Sequence, residues 1–369
     1  MRDERGGFAA LLDAATAVEG GRTAALDAIL RRTPTGVLLR SAARHRCLGY
    51  LRRSIVDLKM RSEPARAIIT ALREYAAKAA VQSYATRGQI FRMVRTLDRA
   101  GVSFALLKGA ARLFRGDREA EDTAMYDLDL LVPEGDGPRA VEALQREGYR
   151  PRAVGNAQRY WLRHHHLVPL EPPDAGLPVE LHLQLAPQAM LSTATDWKAF
   201  ERYCEPLERG GVRALAFNPL GTALHLTIHG AGVKRLHDAI VLARILASDP
   251  AMLGRLNEAF AGERWQPIPL RATLAVAANI AGVGYDLSPA VARYLMWMRR
   301  REDLAPYVRE RSQFADAWYG NGGKLFGAAT RLALPDRDTD DNPVTASARF
   351  AYRLVGRIVT SAVAVAASR

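Results

Sequence analysis

The chain is poor in cysteine and in long apolar runs. Only Cys47 and Cys204 occur among 369 residues, which excludes a disulfide framework and a four-thiolate zinc site and favours a reducing compartment. The longest weakly polar run, Ile358 to Ser368, has eleven residues, about half of what a bilayer-spanning helix needs. The charged N-terminus lacks the apolar stretch of a signal peptide. We therefore expect a cytoplasmic protein without a transmembrane segment.

Charge is distributed unevenly along the chain. Hydrophobic residues make up 49% and charged residues 25%, which is ordinary for a globular protein. The net charge is +13, but it is positive in the first hundred residues, negative in 101–205 and positive afterwards. An acidic middle between basic flanks favours carboxylates gathered for metal ions, with cationic walls that attract phosphates. Arginine-rich helices without such a role remain the alternative interpretation.

The periodicity of apolar residues divides the chain into three regions. Apolar residues recur at three- and four-residue intervals in 1–95, which predicts helices. In 96–205 the pattern changes to short strands separated by helices, and in 206–369 helical periodicity returns. Four strands are predicted, at 102–107, 127–132, 159–170 and 178–185. The predicted fold is α+β, with a small mixed sheet as the core between an N-terminal and a C-terminal helical region.

Two aspartates on the second predicted strand are the strongest candidates for chemistry. In a strand, residues i and i+2 point to the same face, so the carboxylates of Asp127 and Asp129 converge. Their neighbours Leu128, Leu130 and Leu131 are apolar enough to anchor the strand in a core. Two converging carboxylates repel unless a cation lies between them, and hard oxygen ligands suit Mg²⁺.

Lys108 and Gly109 follow the first predicted strand and open a short helix. Such a turn presents backbone N–H groups and an ammonium where a phosphate can bind. Glycine lets the backbone approach a ligand closely. A turn with a solvent-facing lysine is the structural alternative.

A third polar pattern lies on the last predicted strand, where Glu180, His182 and Gln184 share one face. A carboxylate there, beside the strand with the two aspartates, completes a three-acid metal site formed by Asp127, Asp129 and Glu180. A solvated polar face is the alternative interpretation.

The order of these motifs resembles the nucleotidyltransferases of the DNA polymerase beta superfamily, in particular the uncharacterised bacterial branch. The matching positions are Leu107-Lys108-Gly109-Ala110, Asp127-Leu128-Asp129-Leu130-Leu131-Val132, Gly148-Tyr149 and Val179-Glu180-Leu181-His182. The resemblance covers roughly residues 90–250.

The resemblance implies a mechanism and a set of roles. Asp127, Asp129 and Glu180 are expected to hold two Mg²⁺ ions and to be the catalytic carboxylates. Lys108, Gly109 and His182 are expected to bind the nucleoside triphosphate. Transfer of a nucleoside monophosphate to a small molecule, peptide or protein, with release of pyrophosphate, is the implied reaction. A role in tailoring natural products or polysaccharides is a further expectation.

Two positions depart from the superfamily pattern. The glycine motif usually reads Gly-Ser, and an Arg often precedes the first Asp by a few residues. Here Arg112, Arg115 or Arg118 would have to replace that Arg. Two other functions therefore stay open: an inactive nucleotide-binding or regulatory protein of the same fold, and a basic RNA-binding module. No zinc knuckle, RNP-like strand or helix-turn-helix motif supports a nucleic-acid partner.

The remaining histidines have weaker signals. Adjacent strand residues point to opposite faces, so His164, His165 and His166 are not expected to chelate one ion. His225 lies four residues before His229, a spacing typical of metal pairs, although packing is the preferred role. By the same resemblance, His229 and Asp238 are expected to line the acceptor pocket.

Overall fold

The computed structural model describes residues 7–153, 165–186, 194–231, 235–249, 251–261 and 267–295. These residues form fourteen α-helices. They are α1 Gly7–Glu19, α2 Thr23–Arg32, α3 Thr35–Arg44, α4 Leu48–Asp57, α5 Glu63–Ala71, α6 Arg73–Arg99, α7 Lys108–Arg115, α8 Arg118–Glu121, α9 Gly137–Arg146, α10 Trp197–Phe200, α11 Pro219–His229, α12 Leu236–Ser248, α13 Met252–Phe260 and α14 Pro267–Ala281.

One mixed sheet of seven strands lies between the helices. The strands are β1 Ala105–Leu106, β2 Leu128–Leu131, β3 Arg150–Pro151, β4 Leu170–Glu171, β5 Val179–His182, β6 Cys204–Arg209 and β7 Val212–Phe217. Their spatial order is β3-β4-β5-β2-β1-β7-β6. Pairing of β2 with β5 and of β1 with β7 is parallel, and the other pairs are antiparallel. A mixed sheet with helices at both ends confirms the predicted fold class.

The sequence pattern missed the hairpin of β6 and β7. Gly210 and Gly211, with φ of +58° and +69°, form its turn, and both need the left-handed conformation that two-residue hairpin turns favour. The glycine pair between two alternating segments was the available signal. Because this hairpin joins the sheet, strands continue past residue 205. The division of the chain at 95/96 and 205/206 stays a prediction.

The N-terminal and C-terminal helices share one hydrophobic core. It includes Leu11, Leu38, Leu242 and Ala277, which are all fully buried, and α1 packs against both α12 and α14. The two helical regions, although separated in sequence by the sheet, therefore form one body.

Alternate residues of β2 pack into two different hydrophobic cores. Leu131 belongs to the core that the N- and C-terminal helices form, whereas Leu128 and Leu130 pack with α6, α7 and α9 in a second core. Asp129 shares the face of Leu131, because residues two apart on a strand point the same way. The carboxylate of Asp129 therefore faces the helical body.

Several predicted segments lie wholly or partly outside the described residues. The sequence also predicts an acidic loop at 335–343 and a basic helix at 344–367, and both lie outside the described residues. The same holds for the first half of the strand predicted at 159–170 and for the end of a helix predicted at 289–301. Within the described part of the chain, no helix is long and apolar enough to cross a membrane.

Candidate functional site

The register of β2 and β5 brings three predicted residues together. Asp129 is the direct partner of Glu180, and Leu131 is the partner of His182. Since side chains alternate along a strand, Asp129, Glu180 and His182 project from the same face of the sheet. The short apolar sequences on either side of the polar positions hold both strands in the interior, with Leu128 and Val179 fully buried.

Asp129 is the best-connected carboxylate of the site. One of its oxygens accepts a hydrogen bond from Lys108, with 3.0 Å between Nζ and Oδ2. The other lies 2.7 Å from His182 Nε2. Burial opposes the charge of Asp129, but the ammonium and the histidine outweigh it and hold the pKa of this carboxyl well below its usual value. Asp129 is therefore ionised at neutral pH although it is only 4% exposed.

The backbone at Lys108 is unusual for a lysine. Its φ is +44°, in the left-handed region that residues with a Cβ seldom adopt and that recurs at functional sites. This conformation begins α7 directly after β1. A Cβ on the next residue, Gly109, would lie 2.8 Å from Cε of Met125. The turn therefore directs the ammonium to Asp129 while the segment before Asp127 packs closely on Gly109.

Glu180 and Asp127 both have raised pKa values. Burial and the charges of Asp129 and Asp127 raise the pKa of Glu180 to about 7. Burial and the charge of Asp129 also raise the pKa of Asp127, while Lys108, Arg46 and Arg235 act in the opposite direction. Three carboxylates therefore share one region, in which Lys108 forms an ion pair with Asp129.

These residues fit a divalent cation. Ligand atoms of Asp129, Glu180 and His182 all lie within 4.8 Å of one another. Burial and then the charges of Asp129 and Asp127 raise the pKa of Glu180, so a cation bound there would favour its charged form, and carboxylates are ligands that Mg²⁺ prefers. The geometric set contains His182 in the place where the sequence predicted Asp127, so the ligand role of Asp127 stays a prediction.

His165 and His166, which are not expected to chelate one ion together with His164, lie beside the site. The rings of His165 and His166 have their centres 4.9 and 5.2 Å from that of His182. His166 Nε2 is 3.6 Å from Oε2 of Glu180. The expectation of opposite faces was wrong, because residues 165–169 are not a regular strand and His166 makes only an isolated bridge to His182. His164 lies outside the described residues.

The predicted acceptor residues, His229 and Asp238, are hydrogen-bonded to each other. His229 Nδ1 lies 3.0 Å from Oδ2 of Asp238. Burial, then the charge of Lys108, lowers the pKa of His229. Burial opposes the charge of Asp238, yet its hydrogen bonds with His229 and His237 keep its pKa well below the usual value.

A cavity of about 80 Å³ lies between Asp238 and the strand–helix turn, and His229 is not among its lining residues. Its lining includes Lys108, Gly109, His225, His237 and Asp238, among mostly apolar side chains. His225 is buried and packs edge-on against the rings of its neighbours. Asp238 and Lys108 therefore border the same space.

The N-terminal helices hold the segment that leads into Asp127. Arg53 Nε donates to Asp122 Oδ2 at 2.6 Å, and the Ala124 N–H donates to the Tyr75 hydroxyl at 3.3 Å. Gln82 Nε2 donates to the carbonyl of Met125 at 2.7 Å. This support from α4 and α6 fixes the path of the chain just before β2.

The arginines that the sequence suggested near the first aspartate have other partners. Arg112 binds Asp117 at 2.7 Å, and Arg115 binds Glu205 at 2.7 Å. The guanidiniums that act on Asp127 belong instead to Arg46 and Arg235. No local sequence signal marks these two, since they are brought to the site only by the packing of α3 and α12.

A mixed sheet that pairs acidic positions on neighbouring strands, beside a lysine at a strand–helix turn, defines a nucleotidyltransferase-like α/β protein. The model of the family described as uncharacterised nucleotidyltransferase matches residues 33–246, more than half of the chain. The chain belongs to this family. No curated protein and no solved structure matches the chain. The match begins well before residue 90, so the N-terminal helices from α3 onward belong to the family region.

Proposed function

We propose that this protein is a Mg²⁺-dependent nucleotidyltransferase that moves a nucleoside monophosphate from an NTP, such as ATP, to a hydroxyl or phosphate of a small molecule, peptide or protein. The observation that carries the proposal is the register between β2 and β5, which pairs Asp129 with Glu180. The family match supports the class of reaction.

The metal role is assigned to the carboxylates. Asp127, Asp129 and Glu180 would hold the ions, of which we expect two, and these would neutralise charge on the phosphates and on the attacking and leaving oxygens. His182 fixes the orientation of Asp129 through its 2.7 Å hydrogen bond. Neighbours of this kind commonly change metal affinity 10- to 100-fold.

The transfer step is a displacement at the α-phosphorus. The acceptor oxygen forms a bond to that phosphorus, the bond to the bridging oxygen breaks, and pyrophosphate leaves with the electron pair. We assign the proton of an acceptor hydroxyl to Glu180, because its raised pKa makes it basic enough for this purpose near neutral pH.

We assign the nucleotide and the acceptor to opposite sides of Lys108. Lys108, Gly109 and His182 belong to the nucleotide side, where the ammonium and the turn supply positive charge to phosphate oxygens. His229 and Asp238 are assigned to the acceptor side, where Asp238 lines the 80 Å³ cavity. The lining of that cavity is mostly apolar.

The experiment is a calorimetric titration of ATP, GTP, CTP and UTP, with and without Mg²⁺, into the wild type and the Asp127→Asn/Asp129→Asn variant. We expect Mg²⁺-dependent binding of at least one NTP, weakened at least about 100-fold in the double variant because charge-assisted ligands are lost. Asp13→Asn, at an exposed carboxylate of α1, is the matched control and should bind like the wild type.

Two results would replace the proposal with its alternatives. NTP binding that needs neither Mg²⁺ nor the aspartates indicates an inactive nucleotide-binding protein. Absence of NTP binding, with RNA affinity that falls steeply with salt, indicates an RNA-binding module.

A further inference from the structure

Two loops that are distant in sequence meet beside Asp127. The N–H of Leu236 donates to His45 Nδ1 at 3.3 Å, and the N–H of His237 donates to the carbonyl of His45 at 3.3 Å. These bonds join the turn after α3 to the start of α12. The residues next to the bonded positions are Arg46 and Arg235, so the same bonds bring the two arginines to one place.

The side chain of Arg46 points towards the segment that enters β2. Its guanidinium carbon lies 4.6 Å from the centre of the Tyr126 ring, and Tyr126 directly precedes Asp127. The backbone of Arg46 has a φ of +57°, a conformation that disfavours any residue with a Cβ and that often marks functional positions. A glycine or asparagine would suit this turn better, so the conformation alone does not explain an arginine.

The positive charges of Arg46 and Arg235 repel each other. Burial and the positive charge of Arg235 lower the pKa of Arg46, while Asp127 and Asp238 act in the opposite direction. Neither guanidinium forms an ion pair with a carboxylate within the described parts of the chain. Asp127 interacts with both guanidiniums, but the two like charges still repel each other, and an anion bound between them weakens that repulsion.

We propose that Arg46 and Arg235 form a clamp for the β- and γ-phosphates of the nucleotide, the part that leaves as pyrophosphate. The assignment rests on the proposed function. Guanidinium groups stay charged and bind phosphate oxygens through two parallel hydrogen bonds, which makes arginine suited to this role.

The clamp offsets the negative charge of the neighbouring carboxylates, which would otherwise repel the nucleotide. Asp127, Asp129 and Glu180 repel a triphosphate, and Lys108 is already bound to Asp129. The arginine pair supplies two further positive charges on the side of Asp127. It also stabilises the negative charge that collects on pyrophosphate when the bond to the α-phosphorus breaks.

The clamp is tested with inorganic pyrophosphate as the probe, which has no nucleoside. Calorimetric titrations with Mg²⁺ compare the wild type, Arg46→Gln, Arg235→Gln and the double variant, each also titrated with the NTP that binds best and with its monophosphate. We expect each single change to weaken pyrophosphate and NTP binding about 10- to 100-fold, as loss of a charge-assisted hydrogen bond does. Binding of the monophosphate should be unchanged, and the control Arg146→Gln, at an exposed position of α9, should match the wild type.

Arg46→Gly separates a binding role from a structural one. Glycine adopts the φ of +57° without strain, so this variant should fold with at least the wild-type stability and still lose pyrophosphate affinity. A loss of stability without a loss of affinity would assign Arg46 a structural role and overturn the clamp.

Failure of the clamp and failure of the proposed function give different results. If the arginine variants bind an NTP as tightly as the wild type does, in a manner that needs Mg²⁺ and Asp129, the clamp is wrong and the proposed function stands. If pyrophosphate binds through the arginines but no NTP binds, the proposed function is wrong and the anion site stands without the nucleotide.

Discussion

Lys108 Nζ lies 3.0 Å from Oδ2 of Asp129. Lys108 begins α7 just after β1, and Asp129 lies on β2, which pairs antiparallel with β1. Asp129 is only 4% exposed, and a buried carboxylate without a partner is strongly unfavourable. The lysine therefore has a stabilising role in addition to its assigned role in binding phosphate.

Replacement of Lys108 by methionine should destabilise the fold. Because the lysine side chain is itself 21% exposed, we expect a loss of about 1–3 kcal/mol, less than for a fully buried pair. Urea unfolding at pH 7 measures it. In a double-mutant cycle, Lys108→Met should cost much less stability in the Asp129→Asn background than in the wild type. The reason is that no buried carboxylate is then left without a partner. Additive losses in the cycle would show that the two residues are not coupled.

Replacement of His182 by alanine should weaken divalent-ion binding. The imidazole holds Asp129 through a 2.7 Å hydrogen bond and also lies among the candidate ligands. We expect a loss of about 10- to 100-fold in Mn²⁺ affinity, measured by calorimetry or by the electron paramagnetic resonance of free Mn²⁺. His237→Ala, which changes a histidine that contacts Asp238 instead of Asp129, is the matched control. Equal affinity in the wild type and the His182 variant would remove His182 from the metal site.

Replacement of Gly49 by alanine should separate the N-terminal helices from the segment before Asp127. A Cβ at Gly49 would lie 1.9 Å from the carbonyl oxygen of Asp122, and a backbone atom cannot move aside as a flexible side chain does. We expect a destabilisation of about 2–4 kcal/mol by urea unfolding, with weakened nucleotide binding.

The control for this change is Gly254→Ala in α13. A Cβ there meets no atom within 4 Å, so alanine should stabilise the helix by about 0.5–1 kcal/mol. A Gly49→Ala variant as stable as the wild type would mean that α4 does not pack on Asp122 as described.

His225 should make the protein less stable in acid. Burial, then the charge of Lys108, holds the pKa of this buried histidine well below its usual 6.5. Below about pH 6.5 the unfolded chain therefore binds a proton that the folded protein does not. The free energy of unfolding should fall with decreasing pH, by up to about 1.4 kcal/mol per pH unit for this residue.

The variant His225→Leu tests this origin of the pH dependence. Leucine binds no proton in the folded or the unfolded protein, so the free energy of unfolding of the variant should depend less on pH between pH 7.5 and 5.0. Urea unfolding at several pH values measures this dependence. An unchanged dependence would show that His225 titrates alike in the folded and unfolded protein.

Much of the local structure was predictable from residue patterns. The helices Pro219–His229 and Leu236–Ser248 lie in the region where helical periodicity returns in the sequence, because such a period persists over several turns. The predicted strand at 102–107 is reduced to Ala105–Leu106. Apolar runs show that a segment is buried, but the number of ladder hydrogen bonds depends on the neighbouring strands.

The candidate site was predictable only in part. Asp129, Glu180 and His182 meet because alternation places them on one face and parallel pairing sets their register. His165 and His166 were assigned to the wrong geometry, since a strand was assumed where the chain is irregular. Arg46 and Arg235 had no signal at all, being distant in sequence both from each other and from Asp127.

The sequence by itself determined which residues are buried on which face, because side-chain spacing and apolar periodicity are local properties of the chain. It also placed Asp127 and Asp129 at two-residue spacing at the start of β2, and Lys108 shortly after β1. Only the tertiary structure decided that Asp129 pairs with Glu180, that Lys108 binds Asp129, and that two loops of the helical body bring Arg46 and Arg235 to Asp127. Contacts between distant segments follow from the packing of a shared core, and no local pattern encodes which segments share it.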